Sequence, residues 1–217
     1  FAEDLVHRAV RRMFEKEGDL PPAAPSVKII NLSVADNTKP FDRQISSWGR
    51  LLDWLSYKYR VLFLVAAGNQ KPIEVPNFLP KDLALLPESD RVERTLKALA
   101  TDTRNRRIFS PADGINVLSI GAAHTDSSQW SPTPGHPIDI LPDNHLMSPA
   151  SSHGPGFKQG IKPEILFPGG RQLFQDYVDS YRYSDQLSAP GIKSAVPGTS
   201  GELDRSAFSR GTSQATA

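Results

Sequence analysis

RVLFLVAAGN, residues 60–69, decides how the rest of the chain is read. Val61 to Ala67 form an unbroken apolar run, with Arg60 before it and Gly68-Asn69 after it. A short run of this kind, partly β-branched and closed by turn formers, reads as a strand buried on both faces. Just upstream, Trp48, Leu51, Leu52, Leu55 and Tyr59 fall at i, i+3, i+4, i+7 and i+11, the apolar stripe of a helix. Before that helix lies a second apolar, β-branched run, SVKIINLSV (26–34). Strand, helix and strand in this order, with both strands apolar on both faces, imply a right-handed parallel βαβ unit. The fold class is therefore α/β.

Working outward, Leu5, Val6, Ala9, Val10, Met13 and Phe14 recur in pairs four apart, which predicts a helix from Phe1 to Glu17 closed by Gly18. A proline-rich link, DLPPAAP (19–25), joins it to the first strand. Residues 70–112 read as a long insertion with a helix at about 89–101 that carries Val92, Leu96 and Leu99. GINVLSIGAA (114–123) is the third apolar strand. Beyond it, 125–160 is rich in Ser, Pro and Gly, with strand-like pieces such as PIDIL (137–141). KPEILFPGG (162–170) is a further short strand, 171–205 is loop-like, and the serine turn SRGTSQATA (209–217) follows.

With 217 residues, 38% of them hydrophobic, the chain suits one globular domain or the larger part of one. Lys+Arg 25 against Asp+Glu 24 leaves a net charge of +1, without the one-sided basic stripe of a nucleic-acid binder. No apolar run approaches membrane-spanning length. The absence of cysteine excludes disulfides and thiolate metal sites but leaves the compartment unknown. No signal peptide is visible, and the chain opens with Phe1.

In open parallel sheets, functional groups gather beyond the carboxyl ends of the strands. Here those ends read SVAD (33–36), AAGN (66–69) and GAAHTD (121–126). Asn69 follows small residues that leave its amide room to reach a cleft; taken alone, it reads as a Gly-Asn turn. Ser213 sits after Gly-Thr and before QATA; taken alone, it reads as a helix cap. GTSQA lacks the second glycine of a Gly-x-Ser-x-Gly elbow, which argues against an α/β hydrolase. No phosphate-cradling glycine loop follows the first strand, which argues against a nucleotide-binding domain.

Four segments in order change the weight of these residues. VLFLVAAGN (61–69), INVLSIGAA (115–123), SSHGPGFKQGIKPEILFPGG (151–170) and AFSRGTSQATA (207–217) together closely resemble the subtilisin-like serine peptidases, the subtilases. That family carries an Ala-Ala-Gly-Asn with the oxyanion asparagine, a V-x-x-V-G-A strand, a Gly-Pro segment leading to A-P-G, and G-T-S-x-A with the nucleophile. The resemblance runs from Ser26 to the last residue, with 70–112 the least alike part. It implies a three-layer fold with a mostly parallel central sheet flanked by helices. It also implies a serine endopeptidase acting on polypeptide, with Ser213 as the acyl-forming nucleophile and Asn69 in the oxyanion hole. Ser33, Val34 and Ala35 would bind substrate on one side of the specificity pocket, and Ala66, Ala67 and Gly68 on the other.

The departures are informative. Ala217 stands where the family usually has proline, Phe167 replaces the alanine of A-P-G, and Ala35 lies where a glycine normally admits the substrate. Ala35 is expected to narrow the pocket, and Asp36 to favour a basic side chain. The family's catalytic Asp and His, which precede the oxyanion asparagine, have no match among His7, His124, His136, His145 and His153 or near Asp113. This reading expects residues 1–217 to be part of a catalytic domain whose Asp and His motifs lie upstream, and the chain alone to be inactive. The alternative is a non-catalytic pseudo-peptidase that binds peptides. The family often carries calcium, but no acidic loop here has enough ligands to name a site. With four residues after Ser213, the last helix is expected to fray.

Overall fold

The computed structural model describes residues 2–126, 128, 137–142, 145–176, 181–183 and 190–217. His136 and parts of the 125–160 and 171–205 segments lie outside the described residues. In chain order come α1 (Ala2–Phe14), β1 (Ile29–Leu32), β2 (Asp36–Pro40), α2 (Ser47–Tyr59), β3 (Leu62–Ala66), α3 (Pro80–Ala84), α4 (Glu88–Thr101), β4 (Phe109–Ser110) and β5 (Val117–Ala123). Then follow β6 (Gly154–Pro155), β7 (Ile161–Lys162), β8 (Ile165–Pro168), β9 (Phe174–Asp176), β10 (Tyr181–Tyr183), β11 (Ile192–Val196), β12 (Arg205–Ser209) and α5 (Thr212–Thr216).

The central sheet has the order β1-β3-β5-β8, and all three of its pairings are parallel. Ile29 lies opposite Leu62, Phe63 opposite Val117 and Ile120 opposite Ile165. The βαβ unit expected from residues 26–69 is present, and α2 is its crossover. Ser46 caps α2 by accepting from the Gly49 N–H at 2.9 Å. Buried Asp113 holds that cap, accepting from the Ser46 N–H at 2.6 Å and its hydroxyl at 2.9 Å. Trp48, Leu52 and Leu55 from α2 pack with Val10, Val61, Phe63, Val65, Ala112 and Val117 in the main core.

The insertion forms more than a surface elaboration. Ile73, Val75, Leu83, Ala98 and Leu99 make a second core with Ile140 and Phe174. Tyr181 and Tyr183 meet the Phe174 ring edge-on, with centroids 5.7 and 5.1 Å away. Arg106, 2% exposed, ties this body down by donating to the carbonyls of Lys71 and Pro149. Its own carbonyl accepts from the His153 N–H at 2.8 Å. The expected helix at 89–101 is α4.

Several expectations are corrected. β1 is an outer strand of the sheet, so Ile29 is 58% exposed and the strand is not buried on both faces. α1 stops at Phe14, and Gly18, with φ +58, belongs to a later turn closed by Glu17 and Leu20. Leu5 faces solvent and Val10 alone is buried, because the helix meets the core only along one side. Residues 171–205 hold strand structure: β9 pairs antiparallel with β10, and β11 with β12. Their few apolar residues and partial exposure give a weak alternation in the sequence. PIDIL forms an isolated bridge between Ile138 and Phe174 instead of a strand, and it lends Ile140 to the second core. The last helix is formed and docked rather than frayed. Thr212, Ala215 and Thr216 are buried, and Ala215 packs on Ile120 and Ala122 of β5.

Leu52 is fully buried where α2, β3 and β5 meet. Leu52→Ala is expected to lower unfolding stability by about 2–5 kcal/mol. Urea denaturation checks this, and a loss below about 1 kcal/mol would mean that the packing there differs from the one described.

Candidate functional site

β3 runs out into Ala66, Ala67 and Gly68, all buried, and then into exposed Asn69. This exit is clamped on both sides. The Ala67 N–H donates to the Ile120 carbonyl at 2.9 Å, and the Ala67 carbonyl accepts from the Phe109 N–H at 3.0 Å. Gly68 has φ +105, and a Cβ there would stand 2.3 Å from Phe109 Cδ2, so the Phe109 ring requires glycine. Asn69 bridges to Ser151, with the Ser152 N–H on the Gly68 carbonyl at 2.9 Å and the Gln70 N–H on the Ala150 carbonyl at 2.7 Å.

α5 begins against this loop. The Thr212 N–H donates to Asn69 Oδ1 at 2.9 Å and the Thr212 hydroxyl to the same oxygen at 3.2 Å. Thr212 Oγ1 in turn accepts from the Gly68 N–H at 3.2 Å. A backbone N–H only donates, so Oδ1 must face Thr212 and the Asn69 –NH₂ must point away. That –NH₂ has no acceptor among the described residues. Gly211, with φ +126, makes the approach possible, because a Cβ there would lie 2.9 Å from the Asn69 amide. Its N–H donates to the Gly169 carbonyl at 2.7 Å, joining the end of β8 to the same corner.

Ser213 is half-buried in the first turn of α5, and its hydroxyl donates to the Ser33 carbonyl at 3.0 Å. The Ser33 hydroxyl donates to Asn31 Oδ1 at 2.8 Å, while Asn31 Nδ2 donates to the Thr216 carbonyl at 2.8 Å. The end of β1 and the last helix are thus tied at two points. The Ser213 N–H has no acceptor among the described residues. The structure therefore brings Ser213, Ser33, Gly68 and Asn69 together, largely through Thr212. Val34, 44% exposed, and half-buried Ala35 lead away from Ser33 and make no hydrogen bond to Ser213.

The electrostatics next to Ala35 differ from expectation. Asp36 Oδ1 accepts from the Thr38 hydroxyl at 2.6 Å and its N–H at 3.0 Å, and Oδ2 lies 3.5 Å from Lys39 Nζ. The Thr38 hydroxyl is the main cause holding this carboxyl below its ordinary value, with Lys39 adding to it. Lys39 Nζ lies equally 3.5 Å from Glu3 Oε1, so Asp36 shares this cation with a second carboxylate.

The histidines lie elsewhere. His124 is not in an open loop: it is fully buried and 2.8 Å from Asp139 Oδ1 through Nε2. The Gln172 N–H donates to Nδ1 at 3.3 Å, so Nε2 carries the proton and donates to Asp139. Arg171 lies 3.8 Å from Asp139 and 3.1 Å from Asp126, and the cluster holds the chain after β8 against the end of β5. Burial, and secondarily Arg106, pushes the His153 imidazole below its ordinary value. His7 meets the Trp54 ring edge-on. None of the described histidines hydrogen-bonds Ser213. Among the described residues no group of three or more His, Cys, Asp or Glu converges in a way that could hold a metal ion.

Thr212, Asn31 and Ser151 position the site, and sequence reasoning gave them no role. Thr212 had a signal: a hydroxyl next to the serine, at the start of a helix, is placed to bond a neighbouring loop. Asn31 and Ser151 act across 185 and 82 residues of sequence, and no local pattern marks them.

The comparisons with known proteins follow the same line. The family model of the subtilase family matches residues 5–217. An uncharacterized protein of Sinorhizobium fredii (strain NBRC 101917 / NGR234), y4bN, is 25% identical over 199 residues, covering 86% of this chain and 39% of that protein. Among solved structures, the prenylagaramide maturation protease PagA aligns at 18% identity and TM-score 0.42, over 99% of this chain and 45% of its own. The MycP3 protease of the type VII (ESX-3) secretion system aligns at 20% identity and TM-score 0.36, over 99% of this chain and 43% of its own. The chain spans less than half the length of each of these proteins. With the family model matched over nearly its whole length, this chain belongs to the subtilase family.

Proposed function

We propose that residues 1–217 are part of a serine endopeptidase domain in which Ser213 is the nucleophile and Asn69 an oxyanion donor. One observation carries the reading: Thr212 fixes the Asn69 amide so that its –NH₂ points away from it, and among the described residues neither that –NH₂ nor the nearby Ser213 N–H has an acceptor. Two such donors suit the oxygen of a tetrahedral intermediate, where charge develops as the carbonyl is attacked. In this reading Ser33–Ala35 on one side and Ala66–Gly68 on the other would receive the polypeptide.

In the reaction, Ser213 Oγ attacks the scissile carbonyl carbon while its proton passes to a general base. The oxyanion collapses, the amine leaves with a proton, and water hydrolyses the acyl-enzyme by the same route. The Ser213 hydroxyl now donates to the Ser33 carbonyl, so it must rotate toward the base before attack. Because no described histidine reaches Ser213, the base and its orienting acid would come from a segment upstream of this sequence. That segment is then the partner these residues need.

For the full-length protein, hydrolysis of peptide substrates is expected, with Ser213→Ala lowering kcat roughly 10⁴-fold or more. Asn69→Leu is expected to lower kcat roughly 10²–10³-fold, the loss seen for the equivalent side chain in subtilisin. Undiminished activity in Ser213→Ala would overturn the assignment, and peptide binding without cleavage by the wild type would favour a pseudo-peptidase.

Residues 1–217 alone are expected not to react with a fluorophosphonate probe at pH 7, since an unassisted serine is a weak nucleophile. Mass spectrometry of the treated chain checks this: rapid labelling at Ser213 would place the base within these residues.

A further inference from the structure

Next to the site lies a groove of about 620 Å³ whose lining comes from three stretches of chain far apart in sequence. Arg43, Arg104, Arg107 and Lys158 face it and Asp42 is its one carboxylate, so four cations against one anion leave the groove at +3. The whole chain carries only +1, so positive charge is concentrated here. Arg107 is anchored across the groove, donating to the Phe41 carbonyl at 2.8 Å and to Asp42 at 3.2 Å. Among the described residues Arg43, Arg104 and Lys158 form no ion pair with a carboxylate. Arg43 and Lys158 hold left-handed backbone, at φ 63 and 51, a conformation unfavourable for an L-residue.

The groove is tied to the residues of the proposed cleft by packing and by one hydrogen bond. Phe41, which lines the groove, packs with Ala67, Ile108 and Phe157 in one small core. The Gln70 side chain, adjacent to Asn69, donates to the Arg107 carbonyl at 2.8 Å. From Ala35 the chain passes along β2 directly to Phe41, Asp42 and Arg43, while β4, which closes the insertion just after Arg107, pairs with β2.

We infer that this groove takes carboxylate side chains of the polypeptide bound in the cleft, so that the protein prefers acidic segments. The inference rests on the proposed function for the polypeptide's presence, but the groove's ligand chemistry can be tested separately. A carboxylate entering between Arg104 and Lys158 would meet cations that lack an internal anion, whereas a basic side chain would meet repulsion from both. Asp36, already engaged by Thr38 and Lys39, does not oppose this.

The test uses the full-length protein carrying Ser213→Ala, so that peptide is not consumed. Calorimetric titration compares a Glu-rich peptide, a Lys-rich peptide of equal length and inorganic tripolyphosphate. The Glu-rich peptide is expected to bind at least about tenfold more tightly than the Lys-rich one and to weaken as salt is added. Arg104→Glu combined with Lys158→Glu is expected to abolish or invert that order, with thermal unfolding verifying that the variant is folded. Equal binding of the two peptides overturns the inference without any need for the variant. So does an unchanged order in the folded double variant, or binding of tripolyphosphate without the Glu-rich peptide. If the wild type cleaves no peptide yet the acidic peptide binds in this way, the catalytic reading fails and the groove stands. If it cleaves peptides while acidic and basic ones bind alike, the groove fails and the catalytic reading stands.

Discussion

The bonds between Thr212 and Asn69 are the constraint on which the corner of this molecule depends. They join the exit of β3 to the start of α5 across 143 residues of sequence, using one side-chain oxygen and three donors or acceptors of Thr212 and Gly68. Each bond satisfies a group that would otherwise lack a partner at a crowded strand end, where an unmade hydrogen bond costs about 1–3 kcal/mol. The same knot explains why α5 exists at all. A five-residue helix has no stability of its own, since nucleation is unfavourable. Here Ala215 is buried against β5, and Asn31 and Ser33 hold the helix to β1.

A second principle orders the loops around that corner: buried charge pinned by geometry. His124, Asp139, Arg171 and Asp126 lie together in low exposure after β5 and β8. Arg106 does similar work beside Asn69, where its guanidinium holds the chain on both sides of the Asn69–Ser151 bridge. Buried charges add little net stability, but removing one partner strands the other, so they select a single loop conformation. A histidine–carboxylate pair in a peptidase-family chain invites a catalytic reading. The Gln172 N–H on Nδ1 argues for a structural one, because both ring nitrogens of His124 are already engaged.

Much of the sheet was legible in the sequence because its signals are local. Val61–Ala67 is apolar without interruption, Val117–Ala123 carries only Ser119 as a polar residue, and α2 carries its stripe over three turns. Asn69 drew attention at the end of a strong strand, whereas Ser213 alone reads as a helix cap and gained weight only from the four-segment resemblance. What escaped depended on contacts between distant residues. β1 has the composition of a central strand yet lies at the edge of the sheet, and no property of residues 26–34 reveals their neighbours. His124 sits in a polar stretch but is buried by Asp139 and Gln172. α5 is too short to predict from propensity, and its order comes from the β5 surface beneath it.

Charge shows the same limit in a form that bears on specificity. In sequence, Asp36 is the charged residue nearest the cleft wall, and a basic preference follows if it is free. In three dimensions its own neighbours, Thr38 and Lys39, engage it. Arginines that the sequence places at the far end of an insertion return beside Phe41 and Asp42, because β4 pairs with β2 and Gln70 holds the Arg107 carbonyl. The insertion therefore lines the basic groove through Arg104 and Arg107 as well as forming a body with its own core. Its length matters less than where it returns: a strand anchored at Phe109, beneath Gly68, brings to the site whatever charge precedes it. In such an arrangement the scaffold can keep the Asn69–Thr212 geometry unchanged while substitutions at 104–107 reset which side chains the cleft attracts.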